Sequence, residues 1–213
     1  LGEVWEDGSN KIAYSRRRRY LLGRETHGLM NYPLRTAALD YIRGGSAAAF
    51  RDTMEEQREN YPPAAFYSGL NILGTHDTPR ILTLLGADAI PDSKEARAAY
   101  HLSPENRQLA VRRLTLAAML LYTFPGSPTL YYGDEAGMEG FEDPMNRRGF
   151  PWGREDRRLL ALCRTLGKLR KERRSLQSGD ITYLTADGGL LVYRRTLDGE
   201  STYTALLTPA NCL

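Results

Sequence analysis

Four short apolar segments of this chain each run directly into polar or acidic residues. They are Leu1-Gly2-Glu3-Val4-Trp5, the end of a buried strand with Glu3 in it, Gly28-Leu29-Met30-Asn31-Tyr32, Gly69 to Gly74 followed by Thr75-His76-Asp77, and Pro128 to Tyr132 followed by Gly133-Asp134-Glu135. Helical patterns separate most of them. Short apolar runs joined by helices bury both faces of a sheet and pair in parallel. In a (β/α)8 barrel, the polar residues at the C-terminal ends of the strands line the active site. The repeated apolar-then-polar punctuation therefore constrains the chain to an α/β class with its chemistry gathered at one end of a parallel sheet.

The elements between the strands follow from periodicity and breakers. A helix is predicted from about Arg35 to Asn60, interrupted near Gly44-Gly45 and ended by Tyr61-Pro62-Pro63. A loop or broken helix spans Arg80 to Glu105. Ser103-Pro104-Glu105 starts a strong helix over Asn106 to Tyr122, which Phe124-Pro125-Gly126 breaks. Asp143 to Trp152 reads as an irregular polar loop. A long helix follows from about Glu155 to Leu176, with Leu159, Leu162, Leu166 and Leu169 on one face. After Gly179, Ile181–Tyr183, Leu190–Arg194 and Tyr203–Leu207 alternate between turn signals at Asp187-Gly188-Gly189 and Asp198-Gly199. The chain is thus expected to divide into an α/β unit at 1–178 and the start of a small antiparallel β-sandwich domain at 179–213.

Composition adds few constraints. The net charge is +3, which selects no acidic partner. Arg16-Arg17-Arg18-Arg19 reads as a solvated turn or helix end, because no wider basic stripe with aromatics surrounds it; nucleic acid is not an expected partner. No run approaches the ~18 apolar residues of a membrane span, and none reads as a signal peptide. Cys163 and Cys212 define neither a disulfide framework nor a metal site. His27, His76 and His101 have no metal-ligand spacing.

Glycosidic cleavage needs a proton delivered to the leaving oxygen and negative charge beside the developing oxocarbenium ion. Glu3 sits between apolar neighbours, a partly desolvated place that suits a general acid. Trp5 can offer an aromatic face to a sugar. A solvated or helix-capping glutamate is the alternative. His76-Asp77 follows a buried strand directly, where a charge needs a partner or a function; an N-cap beside a satisfied histidine is the competing reading. Asp134-Glu135 is read as structural, holding its loop through Arg147 or Arg148.

Together these segments resemble the α-amylase family, glycoside hydrolase family 13. Gly2-Glu3-Val4-Trp5 is similar to the end of the fifth barrel strand and Met30-Asn31-Tyr32-Pro33 to the sixth. Asn71-Ile72-Leu73-Gly74-Thr75-His76-Asp77-Thr78-Pro79-Arg80 resembles the seventh, and Gly126 to Glu135 the eighth. Asp143-Pro144-Met145-Asn146-Arg147-Arg148 is similar to a loop of the neopullulanase, cyclomaltodextrinase and maltogenic amylase group. The resemblance implies the second half of a (β/α)8 TIM barrel. It also implies Glu3 as acid/base, Asp77 as transition-state stabiliser, His76 as a sugar ligand in the cleavage subsite, and Asp143 and Arg147 as ligands on the non-reducing side. A purely structural Asp143–Arg147 ion pair is the alternative.

The substrate it implies is an α-glucan oligosaccharide, cleaved with retention at α-1,4 links, with α-1,6 links as a further option. No cofactor is expected in this chain. Calcium is allowed in a longer protein, its usual ligands lying outside these residues. The family's nucleophile is an Asp in a Gly-x-Arg-x-Asp segment, and no such segment occurs here. A whole barrel takes ~250 residues. The expectation is therefore an excerpt of a longer polypeptide, or a chain that pairs with a separate N-terminal half or with a second copy as a homodimer. By itself it should hydrolyse no glucan. The alternative function is a non-catalytic amylase-like barrel serving as an interaction subunit.

Overall fold

The polar-ended segments lie side by side in the computed structural model, which describes residues 1–208. Gly2 bridges Leu29 in parallel. Its N–H donates to Gly28 O at 3.0 Å, and its carbonyl accepts from Met30 N at 3.0 Å. The intervening chain carries a small antiparallel hairpin, β1 (Ile12–Ala13) with β2 (Arg16–Arg17). Tyr14 and Ser15 turn it at φ 53° and 60°, the twist a tight hairpin requires. The arginine run expected to be a turn or helix end thus supplies one strand of this hairpin, and Arg16 and Arg17 are exposed on it.

β3 (Met30–Asn31), β4 (Leu70–Ile72) and β5 (Ser127–Thr129) form a parallel sheet in chain order. Met30 pairs with Leu70, Asn71 with Pro128 and Ile72 with Thr129. These strands are shorter than the sequence implied. Tyr131 and Tyr132, expected in the last strand, already belong to the turn that follows it.

The helices between strands follow the breakers. α1 (Tyr32–Ile42) begins where Asn31 Oδ1 accepts from Leu34 N at 3.1 Å, with Pro33 in the first turn. The expected interruption at Gly44-Gly45 separates it from α2 (Ala47–Asn60), whose N-cap Ser46 accepts from Ala49 N. α3 (Pro63–Ser68) then leads into β4. Residues 80–105, expected to be loop or broken helix, contain two short helices, α4 (Ile81–Gly86) and α5 (Lys94–Ala99). α6 (Pro104–Thr123) is capped by Ser103, as its start signal predicts. The last predicted helix stops earlier than Leu176: α7 (Arg157–Glu172), capped by Asp156, gives way to α8 (Arg174–Ser178).

β6 (Asp180–Asp187), β7 (Leu190–Leu197) and β8 (Glu200–Leu207) make an antiparallel meander whose strands are longer than the predicted segments. It is fastened to the α/β part by buried polar groups. Arg195, fully buried, donates from Nη1 to Thr123 O at 2.9 Å and from Nε and Nη2 to Gly179 O. The Tyr41 hydroxyl reaches Gly189 O at 2.9 Å and Leu206 O at 3.0 Å. Cys212 lies outside the described residues. Among the described residues no helix is long and apolar enough to cross a membrane.

Phe124 is where these parts meet. Its ring lies 5.7 Å from Phe50 on α2, 6.5 Å from Phe66 on α3 and 6.1 Å from Tyr193 on β7, all near edge-on. It is 1% exposed. Edge-to-face aromatic pairs add to area burial. Phe124→Ala should therefore cost about 3–5 kcal/mol, seen as a lower denaturant midpoint; a change within error of zero would remove Phe124 from this central position.

Candidate active site

Parallel pairing brings the polar strand ends to one edge of the sheet. Glu3 stands one residue past the Gly2 bridge, and the Tyr32 hydroxyl donates to its Oε1 at 2.8 Å. The indole of Trp5 stacks on the Tyr32 ring, centroids 4.1 Å apart and planes 15° from parallel. Trp5 remains 51% exposed, whereas Tyr32 is 2% exposed. Burial pushes the Tyr32 phenol up to about 12; a Thr75 hydrogen bond opposes the rise, and the carboxylates of Glu3 and Asp77 add to it. Tyr32 therefore feels both acids. Glu3 itself is exposed, so these residues do not supply the desolvation that its apolar sequence neighbours implied.

After β4 the chain turns tightly. Thr75 N donates to Thr78 Oγ1 at 2.9 Å, and Asp77 N donates to Thr75 Oγ1 at 3.2 Å. Thr75, Thr78 and Arg80 are buried, while His76 and Asp77 project outward and are exposed. His76 Nε2 lies 3.2 Å from Asp77 Oδ2. Arg147 Nη2 donates to Asp77 Oδ1 at 3.1 Å, and its Nε lies 3.2 Å from Asp143 Oδ1 and donates to His76 O at 3.0 Å. One guanidinium thus joins Asp143, Asp77 and the His76 backbone. Asn146, fully buried, donates to His76 O at 2.7 Å and Thr78 O at 2.8 Å, pinning the loop of Asp143 beneath the turn of Asp77.

Asp134 corrects one expectation. It is buried, and its partner is Arg80, whose Nη1 lies 3.3 Å from Oδ1, not Arg147 or Arg148. The Arg80 guanidinium also lies 4.3 Å from the Tyr131 ring centre and 4.6 Å from that of Tyr132, and donates to Tyr132 O. Arg148 instead donates to Ala98 O, and Glu135 accepts from Gly133 N at 2.9 Å. Gly133 adopts φ +87°, and a Cβ there would fall 2.1 Å from Met138 Sδ, so only glycine fits this corner.

Of the six residues singled out by sequence, Asp77, His76, Asp143 and Arg147 make one contact cluster; Glu3 and Trp5 make a second, around Tyr32. Tyr32 joins Glu3 and Trp5, Asn146 ties the loop of Asp143 to the turn of Asp77, and Arg80 anchors the end of that turn to Asp134; sequence alone assigns none of the three a role. The signals for Tyr32 are its place at a strand end and within Met30-Asn31-Tyr32-Pro33. Asn146 and Arg80 lay within the quoted motifs but could be assigned only by contact. The broad groove lined by Glu6, Lys11, Arg17, Arg19, Glu56 and Glu59 shares no residue with either cluster. Among the described residues no group of three or more His, Cys, Asp or Glu side chains could hold a metal ion.

The class defined so far is a parallel α/β protein of partial-barrel type with acidic, basic and aromatic side chains collected at its strand ends. The family description "Alpha amylase, catalytic domain" matches residues 1–178, and this chain belongs to the α-amylase family, glycoside hydrolase family 13. It is 39% identical to the amylopullulanase of Thermoanaerobacter thermohydrosulfuricus over 95% of this chain and 14% of that protein. It is 34% identical to a cyclomaltodextrinase of Geobacillus thermopakistaniensis over 99% of this chain and 32% of that one. Among solved structures, the Nostoc punctiforme debranching enzyme, soaked with acarbose, superposes with a TM-score of 0.76 at 28% identity, covering 96% of this chain and 40% of that one. The chain thus spans less than a third of these two relatives' length.

Burial lifts the Asp134 carboxyl from 3.8 to about 7, with Arg80 pulling it down. The folded chain then holds a proton that the unfolded chain gives up near its ordinary value. The stability this proton contributes is complete below about pH 4 and is lost as pH rises through about 7. The loss should run at up to ~1.4 kcal/mol per pH unit. Asp134→Asn should flatten that slope in denaturant titrations between these values; parallel slopes for the two proteins would show that burial does not govern this carboxyl.

Proposed function

We propose that this chain is part of a retaining α-glucan hydrolase acting on starch-like, pullulan-like or cyclic maltodextrin substrates. Its residues 1–178 would form strands five to eight of a (β/α)8 barrel, and 179–213 would begin a C-terminal all-β domain. The observation that carries the reading is the Arg147 bridge between Asp77 and Asp143, set on the same strand-end edge as Glu3. The named activities of the amylopullulanase and cyclomaltodextrinase relatives support the substrate class.

In this reading Glu3 protonates the glycosidic oxygen as the C1–O bond breaks and its electron pair passes to that oxygen. An aspartate carboxylate outside these residues bonds to C1 and forms the glycosyl-enzyme. Water then attacks C1, Glu3 takes its proton, and the carboxylate leaves. Asp77 places negative charge beside the developing oxocarbenium ion. His76 and Asp77 hold the sugar at the cleaved bond. Arg147, oriented by two carboxylates, presents its remaining donor capacity to hydroxyls on the non-reducing side. Trp5, stacked and half exposed, offers its free face to an adjoining ring. The reading of a non-catalytic interaction subunit is disfavoured by the joint presence of Glu3, His76 and Asp77.

Two measurements test the reading. In the longer protein that carries this chain, Glu3→Gln should lower maltodextrin hydrolysis by ~10²–10⁴-fold, read as reducing-end release; unchanged hydrolysis would refute the acid/base assignment. The purified 213-residue chain should release no sugar from the same substrate, and measurable retaining hydrolysis would sink the claim that the nucleophile lies elsewhere.

A further inference from the structure

We infer that Tyr32 is the positioning residue of Glu3: its hydroxyl tethers Oε1 and so assigns the proton transfers to Oε2. The inference rests on the reading of Glu3 as acid/base. The hydroxyl donates to Oε1 at 2.8 Å, a sound hydrogen-bond length. Glu3 is exposed and on a mobile-type side chain with three torsions, so a single good donor is what selects its rotamer. Tyr32 can be that donor because it cannot itself move. It is 2% exposed, begins α1 directly after β3, and is covered by the Trp5 indole at 4.1 Å. Its polar end also faces Thr75 at the foot of the Asp77 turn. The ring therefore spans from the fifth-strand segment to the seventh-strand turn, and a tether at its tip holds Glu3 in a fixed relation to Asp77.

The chemistry follows from which oxygen is occupied. In the first step Glu3 must carry a proton. With Oε1 accepting from Tyr32, that proton sits on Oε2 and passes to the leaving oxygen, which receives the electron pair of the broken bond. In the second step the carboxylate takes the water proton on Oε2, while Oε1 keeps the Tyr32 hydrogen bond. Burial keeps the phenol protonated through the working range, so the donor persists in both steps and Tyr32 neither gains nor loses a proton.

The test uses the longer enzyme with two substrates that differ in their need for an acid. Maltodextrin leaves through an oxygen that must be protonated; α-maltosyl fluoride leaves as fluoride, which needs no comparable proton. kcat/KM reports the step that forms the glycosyl-enzyme. Tyr32→Phe keeps the ring and the Trp5 stack and removes only the donor. It should lower kcat/KM for maltodextrin by roughly 10–100-fold, carried by kcat with KM within about twofold, and should leave the fluoride value within about threefold. An equal fall on both substrates would mark a merely structural tyrosine and overturn the inference. Glu3→Gln separates the two levels. If it spares maltodextrin, the acid/base reading fails. If it shows the acid-dependent pattern and Tyr32→Phe does not, only the tether fails. Should Tyr32→Phe not fold, 3,5-difluorotyrosine at position 32 keeps shape and donor but ionises at lower pH. The maltodextrin-to-fluoride ratio should then fall with pH faster than in the parent, and an unchanged ratio would overturn the tether.

Discussion

A buried ladder of amides fixes the sheet, and the candidate site stands on it. Asn31 on β3 donates from Nδ2 to Asn71 Oδ1 on β4 at 3.1 Å and to Gln57 Oε1 on α2 at 3.2 Å. Gln57 Nε2 returns a bond to Asn31 Oδ1 at 2.9 Å, and Asn71 Nδ2 continues to Pro125 O at 2.7 Å, just before β5. All three side chains are buried. Amides placed without partners in such a core would each cost on the order of 1–3 kcal/mol. Only one register satisfies this set, the one in which Asn31 faces Asn71. A slip by one residue would send every side chain on the strand to the other face.

That register sets the level at which the chain leaves each strand. With Asn31 opposite Asn71, Tyr32 emerges one residue beyond β3 and Thr75 a few residues beyond β4, near enough for the Asp77 turn to act on the Tyr32 phenol. The same ladder reaches Gly126, where a Cβ would fall 2.8 Å from Asn71 Nδ2 and φ is +108°. Glycine there lets β5 approach, and the turn after β5 then delivers Asp134 beneath Arg80. Polar satisfaction in the core and placement of the chemistry above it are thus one constraint.

Much of this was legible in the sequence. The strand ends carried it, because an apolar run that stops at His76-Asp77 or Asp134-Glu135 advertises a strand and its end, although only the first of the two runs is buried. The breakers at Gly44-Gly45, Pro62-Pro63 and Pro125-Gly126 placed the helices within a few residues. What the sequence hid were pairings distant along the chain. Asp134 is 54 residues from Arg80, and no local pattern distinguishes Arg80 from Arg147 or Arg148 as its partner. Arg80 reads as an ordinary polar loop residue, yet it is fully buried, with its guanidinium against the Tyr131 and Tyr132 rings. Residues 80–105 lack a sustained apolar face, so their two short helices gave no periodic signal. Tyr32 was visible as a strand-end residue but not as a donor, because a hydrogen bond to a residue 29 positions away exists only once the strands pair in parallel.

The turn from Thr75 to Arg80 shows how rigidity and reactivity are divided. Its buried members make the structural bonds: Thr75 with Thr78, Thr78 O with Asn146, Arg80 with Asp134 and the Tyr132 carbonyl. The side chains of its exposed members, His76 and Asp77, hold only ion pairs and are about half open to solvent. Exposed pairs of this kind contribute about 0–1 kcal/mol, too little to shape the turn. They are therefore free to exchange partners: the Arg147–Asp77 pair can loosen at small cost, because Asn146 still holds the backbone beneath through His76 O and Thr78 O. An aspartate side chain carried on a turn whose bonds are made by its backbone and by buried neighbours can change what it binds without changing where it stands.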